Sequence, residues 1–338
     1  MAIRWGIIGC GDVCEVKSGP AFQKAEGSRL VAVMRRDGAK AADFARRHHV
    51  PRWYDDADKL IQDPEVDAVY VATPPGSHEA LAVRVAAAGK PCYVEKPMAR
   101  NHAECVRMVE AFRAAKVPLF VAYYRRRLPR FVKAKELIDE GRLGRVTSLA
   151  YRHSRLFRPQ QGGEWRMDPV HSGGGLLLDL GSHAVDLFDF YLGPLSEVSG
   201  DADRFSEGTV EDVVTMTFRG GNGALGTASW NFAGSSRTDV LEIEGTDAKL
   251  VVSCFGDDPV RLERPDGKVE HFDLPNPPHI QQPFIQSMVD ELNGVTPPGS
   301  CPSTGETGAR ASAVIDAALQ RFYGGRADGF WTGTLHPS

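Results

Sequence analysis

The stretch Ile3-Arg4-Trp5-Gly6-Ile7-Ile8-Gly9-Cys10-Gly11-Asp12-Val13-Cys14 decides the fold, because a buried-strand pattern runs directly into a glycine turn. In such a turn the first glycine permits a tight bend, and the second lets the backbone approach a pyrophosphate at a helix N-terminus. The third small residue is usually Gly or Ala and here is Cys14. The turn's placement after the first strand favours dinucleotide binding over a purely structural turn. The predicted cofactor-binding residues of this turn are Gly9, Cys10, Gly11, Asp12 and Val13.

The first third of the chain continues as an alternation of short apolar runs and amphipathic stretches. The predicted strands are 3–8, 30–34, 68–72 and 118–122, and the predicted helices are 40–48, 79–88 and 103–116. Continuous apolar strands separated by helices indicate a parallel sheet covered on both faces. Gly19-Pro20 falls where the first helix should run, which predicts a short or kinked helix there.

Beyond about residue 123 the pattern changes to closely spaced strands. These are predicted at 212–218, 224–231, 240–244 and 249–253, with closing helices at 280–293 and 306–322. Strands joined by short turns indicate a mainly antiparallel sheet. We therefore predict an α/β dinucleotide-binding domain over residues 1–122 and an α+β domain over residues 123–338, which binds substrate and forms oligomers.

Composition excludes several classes of function. The 338 residues carry 40 basic and 44 acidic side chains, which gives no electrostatic case for nucleic acid or an anionic membrane. No run approaches the roughly 18 apolar residues of a membrane span. The N-terminus has no charged lead or cleavage site, so we expect a cytoplasmic protein. The six cysteines form no C-x-x-C pair, which predicts buried reduced thiols and no metal site.

The residues after the second strand discriminate between cofactors. An acidic residue there would bind the ribose 2′-hydroxyl of NAD, but the chain reads Arg35-Arg36-Asp37. Guanidinium groups suit a 2′-phosphate through charge-assisted hydrogen bonds. We therefore favour NADP over NAD, with Arg35 and Arg36 as ligands. The alternative is two solvated arginines, with Asp37 capping the next helix.

Three later segments occur in a characteristic order: Thr73-Pro74-Pro75-Gly76-Ser77-His78, then Glu95-Lys96-Pro97, then residues 173–183, which read GGGLLLDLGSH. Together they resemble the glucose–fructose oxidoreductase/inositol dehydrogenase (Gfo/Idh/MocA) family. The resemblance implies a Rossmann domain followed by an α+β domain with an open, mostly antiparallel sheet, through which homodimers or homotetramers form. It implies oxidation or reduction of sugars, polyols or related carbonyl compounds with NAD or NADP.

The resemblance also implies roles for individual residues. Its catalytic set is Lys96, Asp179 and His183, which would also bind substrate. The residues implied to lie along the cofactor are Thr73, Pro74, Pro75, His78, Glu95 and Lys96. Tyr124 (substrate) and Arg125 (cofactor) lie in a stretch that resembles the family segment after the last Rossmann strand, with Ala122 replacing its glycine. Trp165-Arg166 resembles a segment that some reductases of the family place near the nicotinamide.

The residue types in the catalytic set suit hydride transfer. Asp179 and His183 are four apart in a stretch of helical pattern, 176–191, which would place them on one face of a helix. Histidine exchanges protons near neutral pH and would serve the reacting hydroxyl. Asp179 would bind a neighbouring hydroxyl or orient the imidazole, and the Lys96 ammonium would stabilise alkoxide charge or join a proton relay.

One strand and one loop are further candidates for substrate binding. His153 and Arg155 alternate along a predicted strand over 146–157, so they would share a face toward the substrate, with exposed sheet surface as the alternative. The loop around 160–168 is a candidate for specificity.

Two other functions compete with net hydride transfer. One is an enzyme that cleaves glycosidic bonds through transient oxidation by a tightly held NAD. The other is a non-catalytic dinucleotide sensor. The presence of Lys96, Asp179 and His183 counts against the sensor.

Overall fold

The chain divides into two compact units in a computed structural model that describes residues 2–156 and 164–332. The first unit comprises residues 1–99, 104–128 and 277–309, and the second comprises residues 100–103, 129–276 and 310–338.

The strands, in chain order, are β1 (Ile3–Ile8), β2 (Ser28–Met34), β3 (Arg52–Tyr54), β4 (Ala68–Val71), β5 (Cys92–Val94), β6 (Leu119–Val121), β7 (Val146–Ser154), β8 (Ser196–Asp203), β9 (Val213–Arg219), β10 (Leu225–Asn231), β11 (Thr238–Gly245), β12 (Lys249–Val252), β13 (Val260–Glu263) and β14 (Val269–Phe272). The α-helices are α1 (Asp12–Val16), α2 (Gly19–Lys24), α3 (Gly38–Arg47), α4 (Ala57–Ile61), α5 (His78–Ala87), α6 (His102–Ala115), α7 (Pro129–Asp139), α8 (Pro169–Ser172), α9 (Ser182–Leu192), α10 (Gln282–Leu292), α11 (Gly305–Ala318) and α12 (Gln320–Tyr323).

The first unit contains a six-stranded sheet in the order β3-β2-β1-β4-β5-β6, in which every pairing is parallel. Strands β4, β5 and β6 are buried at every residue, as their continuous apolar sequences require. This confirms the predicted Rossmann fold. The chain reverses its strand order between β1 and β4, which places the carboxyl end of β1 at the crevice where such sheets bind ligands.

Gly19-Pro20 breaks the first crossover helix as predicted, giving the short helices α1 and α2. A side chain at Gly19 would overlap the carbonyl oxygen of Cys14, so the glycine permits the close approach of the two helices.

The second unit contains an eight-stranded sheet in the order β14-β13-β12-β11-β7-β10-β9-β8. Among the strand pairs that the structure describes, β7–β10 alone is parallel, so the sheet is mostly antiparallel, as predicted. On one face Tyr151 and Trp230 pack against Phe188 of α9. The other face carries exposed small polar side chains, including Thr215, Thr217 and Thr227.

Residues 277–309 return to the first unit after the long excursion of the chain through the second. Thr304 forms a β-bridge with Phe120 in β6, and the Tyr93 hydroxyl donates to Gln281 Oε1 at 2.9 Å. The predicted division of the chain at residues 122–123 assigns residues 277–309 to the second domain, whereas they pack in the first unit. We keep that boundary as a proposal for where the chain leaves the Rossmann sheet.

The predictions for the cysteines and for membrane-spanning segments can be compared with the fold. All six cysteines lie among the described residues and are buried thiols, as predicted. In the part of the chain that the structure describes, no helix has the length and apolar character needed to cross a bilayer.

Candidate active site

Gly9 and Gly11 form the turn after β1 and have different surroundings. Gly9 has a φ of 90°, and a β-carbon there would lie 2.7 Å from Thr73 Cγ2, so the chain itself requires this glycine. At Gly11 a β-carbon would meet nothing nearer than the Gly9 carbonyl oxygen at 3.9 Å. The chain's own packing therefore leaves open space over Gly11, and this space fits the close approach of a pyrophosphate.

Cys10 and Cys14 complete the turn. The Gly9 and Cys10 amides donate to Met34 O at 2.9 and 3.3 Å, which ties the turn to the end of β2. Burial raises the pKa of Cys10 to about 11, so it stays a thiol. Cys14 is fully buried in α1, where it fills the third small-residue position of the fingerprint.

The end of β2 presents two arginines and a helix cap. Arg35 is half-buried and Arg36 is exposed. The Asp37 carboxylate accepts the Lys40 amide at 3.2 Å as the N-cap of α3 and pairs with Lys40 Nζ at 3.2 Å. These hydrogen bonds lower the pKa of Asp37. The capping role considered for Asp37 is confirmed.

The segment after β4 holds Thr73, Pro74 and Pro75 beside a buried histidine. His78 begins α5 with its ring fully buried, Nε2 lying 2.7 Å from Thr73 O and Nδ1 3.1 Å from Pro97 O. Burial lowers the pKa of His78. The ring thus connects the turn after β4 to the segment that follows Lys96. Direct contact between His78 and the cofactor stays a prediction.

Glu95 follows β5 and lies within a buried polar network of the first unit. Its Oε1 accepts the Tyr70 hydroxyl at 2.5 Å and Gln281 Nε2 at 2.8 Å, while Oε2 accepts the Lys96 amide at 3.1 Å. The carboxylate therefore fixes the backbone at Lys96. Sequence reasoning missed Gln281, which approaches from 186 residues away and has no local signal.

Lys96 is half-buried and its bond to Pro97 is cis, as X-Pro geometry allows. Tyr124 and Arg125 begin the 3₁₀ turn Tyr124–Arg127 and are both buried. The Arg125 guanidinium carbon lies 5.4 Å from the centre of the Tyr124 ring. The predicted site residues of the glycine turn, the Thr73 segment and the Tyr124 turn all lie in the first unit, as does Lys96.

In the second unit the structure joins two of the predicted segments. Arg166 Nε donates to Asp179 Oδ2 at 3.1 Å, and the Arg166 guanidinium lies 4.4 Å from the centre of the Trp165 ring. The carboxylate predicted to bind substrate is therefore held by the segment predicted to lie near the nicotinamide.

The helix that carries Asp179 differs from the prediction. Leu177–Gly181 is a π-helical turn, and the α-helix α9 begins only at Ser182. The prediction of one continuous α-helix over 176–191 is therefore wrong at this turn, and the shared face of Asp179 and His183 stays a prediction. Gly181 makes room for a side chain of this turn, since a β-carbon there would lie 2.5 Å from Leu177 Cδ1.

His183 and His153 pack against the same aromatic ring. His183 is buried, and its ring centre lies 6.3 Å from that of Phe255, edge-on. The His153 ring lies 5.3 Å from Phe255 and 5.5 Å from Phe232. Among the described residues, neither ring nitrogen of His153 has a hydrogen-bond partner, although both are buried. A buried imidazole in this state is suited to receive a ligand hydroxyl.

Asp239, which sequence reasoning missed, organises the wall around Phe255. Its carboxylate accepts the Tyr151 hydroxyl at 3.0 Å and the Phe255 and Gly256 amides at 2.6 and 2.9 Å. Burial opposes ionisation, but these hydrogen bonds and His153 lower the pKa of Asp239. Asp239 Oδ1 lies 3.9 Å from His153 Nδ1.

The predicted strand over 146–157 is too long, because β7 ends at Ser154, and the shared face of His153 and Arg155 stays a prediction. Arg155 is exposed, whereas His153 is buried on the helix-covered face. Phe157 at the predicted strand end, and residues 160–163 of the candidate specificity loop, lie outside the described residues.

Two family models match the chain. Residues 3–123 match the oxidoreductase family with an NAD-binding Rossmann fold, and residues 131–251 match the GFO/IDH/MocA C-terminal domain.

Curated proteins are similar over most of the chain. Oxidoreductase P35 of Formosa agariphila is 40% identical over 293 residues, covering 85% of this chain and 90% of that protein. The 1,5-anhydro-D-fructose reductase of Ensifer adhaerens is 28% identical over 330 residues, covering 93% and 96%. Among solved structures, levoglucosan dehydrogenase in complex with NADH and levoglucosan superposes with a TM-score of 0.84 at 22% identity, covering 95% of this chain and 96% of that one. That likeness is one of fold.

Proposed function

Since this chain belongs to the GFO/IDH/MocA family of NAD-binding oxidoreductases, we propose that it transfers a hydride between a nicotinamide cofactor and a hydroxyl or carbonyl group of a sugar, polyol or related compound. The observation that carries the proposal is the open space over Gly11. A β-carbon there would meet nothing nearer than 3.9 Å, so packing within the chain does not explain why this position is a glycine. Residues 9–13 would hold the pyrophosphate there. When bound, the nicotinamide supplies or accepts the hydride.

NADP is our preferred cofactor. Asp37, the one acidic residue in the Arg35-Arg36-Asp37 segment, caps α3 and pairs with Lys40, so its carboxylate is engaged away from a ribose. Arg35 and Arg36 are left to bind a 2′-phosphate.

The test is kcat/KM for NADP⁺ and NAD⁺ in an Arg35→Ala/Arg36→Ala variant. We expect the ratio to fall by about 10- to 100-fold, the scale of one or two charge-assisted hydrogen bonds. Arg46→Ala, which changes an exposed arginine of the following helix α3, is the matched control. A wild-type preference for NAD⁺ would overturn this assignment.

The chemistry at the substrate is assigned to three side chains. His183 would exchange the proton of the reacting hydroxyl, which suits an imidazole at neutral pH. Asp179, held by Arg166, would bind a neighbouring hydroxyl. The Lys96 ammonium, on a backbone fixed by Glu95, would stabilise negative charge on the reacting oxygen.

His153 is our further candidate for substrate binding, because its buried ring nitrogens form no hydrogen bond in the described part of the chain. Tyr124 and Arg155 stay predictions as substrate contacts. Trp165, Arg166, Thr73, Pro74, Pro75 and Arg125 stay predictions as cofactor contacts.

The first experiment is a screen of the purified protein against sugars and polyols with both cofactors, followed at the nicotinamide absorbance. Levoglucosan and 1,5-anhydro-D-fructose belong in the screen, because they are named for similar proteins. A net absorbance change supports the proposal. Glycoside cleavage with no net change would favour the transient-oxidation alternative, and cofactor binding without turnover of any compound would favour the sensor.

The catalytic roles are tested by Lys96→Met and His183→Ala. We expect each to lower kcat by at least about 100-fold, the usual scale for loss of acid–base or electrostatic catalysis, with little change in cofactor affinity. A variant that keeps near wild-type turnover removes that residue from the mechanism.

The assembly and location of the protein also stay proposals. The exposed polar face of the second sheet supports a homodimer or homotetramer formed through it.

A further inference from the structure

The glycine run Gly173-Gly174-Gly175 is packed against three separate parts of the second unit. Gly173 has a φ of 83°, and a β-carbon there would lie 2.5 Å from the Arg100 carbonyl oxygen. A β-carbon at Gly174 would lie 3.2 Å from Arg326 Nη1 and 3.4 Å from the Tyr323 hydroxyl. At Gly175 it would overlap the Glu211 backbone carbonyl. The run is therefore the meeting point of a buried polar network.

Glu211 binds this run directly. Its side chain is fully buried, and both carboxylate oxygens accept the Gly175 amide at 3.0 Å. The Tyr323 hydroxyl donates to Oε2 at 2.5 Å. Burial raises the pKa of Glu211, while Tyr323 and the nearby Arg326 favour the ionised form. The proposed hydride transfer gives this carboxylate no direct role.

The network continues from Tyr323 to the segment that follows Lys96 in the sequence. The Arg326 guanidinium lies 5.2 Å from the centre of the Tyr323 ring and donates to Asp316 Oδ1 at 2.8 Å and to the Arg100 carbonyl oxygen at 2.5 Å. Asp316 Oδ2 in turn accepts the His102 amide at 2.8 Å. The C-terminal residues thus connect the backbone at residues 100–102 with the glycine run.

The two connected segments each lie beside a proposed catalytic residue in the sequence. Gly175 precedes Asp179 by four residues and leads into the π-helical turn that carries it, and Arg100 follows Lys96 by four residues. We propose that Glu211 and Tyr323 are positioning residues, which hold the Gly175 amide and thereby set the π turn of Asp179 and the start of α9 at His183. This inference rests on the proposed function for the roles of Asp179 and His183.

The test uses Tyr323→Phe, which removes one hydroxyl, and Glu211→Gln, which keeps the side-chain size. We expect each to lower kcat with the preferred sugar by about 10-fold, the scale of one hydrogen bond to a charged group, while KM for the cofactor stays unchanged. The double variant should lose little more than either single variant, because both act on one contact. Tyr191→Phe is the matched control, because Tyr191 is a buried tyrosine of the same unit whose hydroxyl makes one long contact, 3.5 Å to Phe131 O.

Hydrogen exchange supplies the readout independent of turnover. In Tyr323→Phe the amides of residues 173–183 should exchange faster than in wild type, and those of α10 should not change. Faster exchange with unchanged kcat, or unchanged exchange, overturns the positioning role. If wild type turns over no sugar, the proposed function fails, and exchange across 173–183 still decides whether Glu211 and Tyr323 hold the turn. If Glu211→Gln does not fold, the milder Tyr323→Phe decides alone.

Discussion

At the scale of single residues, Gly9 and Gly11 offer a paired experiment. Gly9→Ala places a side chain at a φ of 90° and against Thr73, so we expect it to destabilise the fold by roughly 1–2 kcal/mol or more. Gly11→Ala meets nothing nearer than 3.9 Å, so we expect an unchanged melting temperature. Its methyl group would instead occupy the space proposed for the pyrophosphate, and cofactor Kd should rise at least about 10-fold, equivalent to 1.4 kcal/mol.

Thermal unfolding of both variants and titration with NADP⁺ and NAD⁺ check this prediction. Each glycine is the control for the other, since one should affect stability and the other binding. Tight cofactor binding by Gly11→Ala would show that the space over Gly11 is not the pyrophosphate site.

The buried ring of His153 leads to a second prediction at this scale. His153→Phe removes two buried ring nitrogens that form no hydrogen bond in the described residues, and with them the 3.9 Å approach of Nδ1 to Asp239 Oδ1, and adds an apolar ring beside Phe232 and Phe255. An unsatisfied buried polar group costs about 1–3 kcal/mol, and losing the approach to Asp239 opposes the gain from removing it, so we expect the free energy of unfolding to change little. KM for the sugar should rise about 10-fold if the imidazole binds a substrate hydroxyl, as for one lost hydrogen bond. An unchanged KM would exclude His153 from the site.

At the scale of elements, His78 connects the N-terminus of α5 to the segment after Lys96, and this contact predicts a pH dependence. Burial lowers the pKa of His78 below its usual 6.5. Because the unfolded chain then binds a proton that the folded chain does not, stability should be fully present above pH 6.5 and should fall as the pH drops toward the folded-state pKa. His78→Asn cannot titrate, so its melting temperature should lose this part of the acid sensitivity.

Melting temperatures of wild type and His78→Asn between pH 5 and pH 8 give the measurement. His49→Asn, at an exposed histidine beyond α3, serves as the control and should keep the wild-type slope. A variant His78→Asn with the same slope as wild type would show that His78 does not titrate in this range.

The elements also show what sequence patterns could predict. Strands β1, β2, β4 and β6 carry continuous apolar runs, and their prediction succeeded to within two residues. The π turn at Leu177–Gly181 was not predicted, because the apolar pattern of 176–191 indicates one continuous α-helix and does not mark a single widened turn. Strands β13 and β14 are short and partly polar at one edge of the sheet, so they gave no signal and were not predicted.

At the scale of the whole molecule, the open face of the second sheet is the proposed oligomer surface. Thr217 and Thr227 face each other across β9 and β10 and are exposed. We expect Thr217→Lys/Thr227→Lys to place two like charges on this surface and shift the protein toward monomer, because unpaired buried charge is costly at an interface. Light scattering after size exclusion measures the mass. A monomeric wild type, or an unchanged oligomer in the variant, would contradict the proposal.

Only part of the candidate site was predictable from the sequence, because some of its contacts form only when distant parts of the chain fold together. Lys96, Asp179 and His183 sit in ordered motifs, so a resemblance could find them. Asp239 and Gln281 belong to no motif and reach their partners across the folded chain, as Gln281 does from 186 residues away from Glu95. Contacts of that kind depend on topology, and local sequence patterns do not encode them.

The return of residues 277–309 to the first unit has a consequence for biosynthesis. A ribosome releases the Rossmann strands early, but Gln281 and Thr304, which complete the surroundings of Glu95 and β6, emerge more than 150 residues later. The first unit of the nascent chain therefore lacks the contacts of Gln281 and Thr304 while the second unit is translated, at about 5–20 residues per second. We expect β6 to be an unpaired edge strand during those seconds, so chaperone binding to nascent chains should be greatest before residue 309 appears and decline after it.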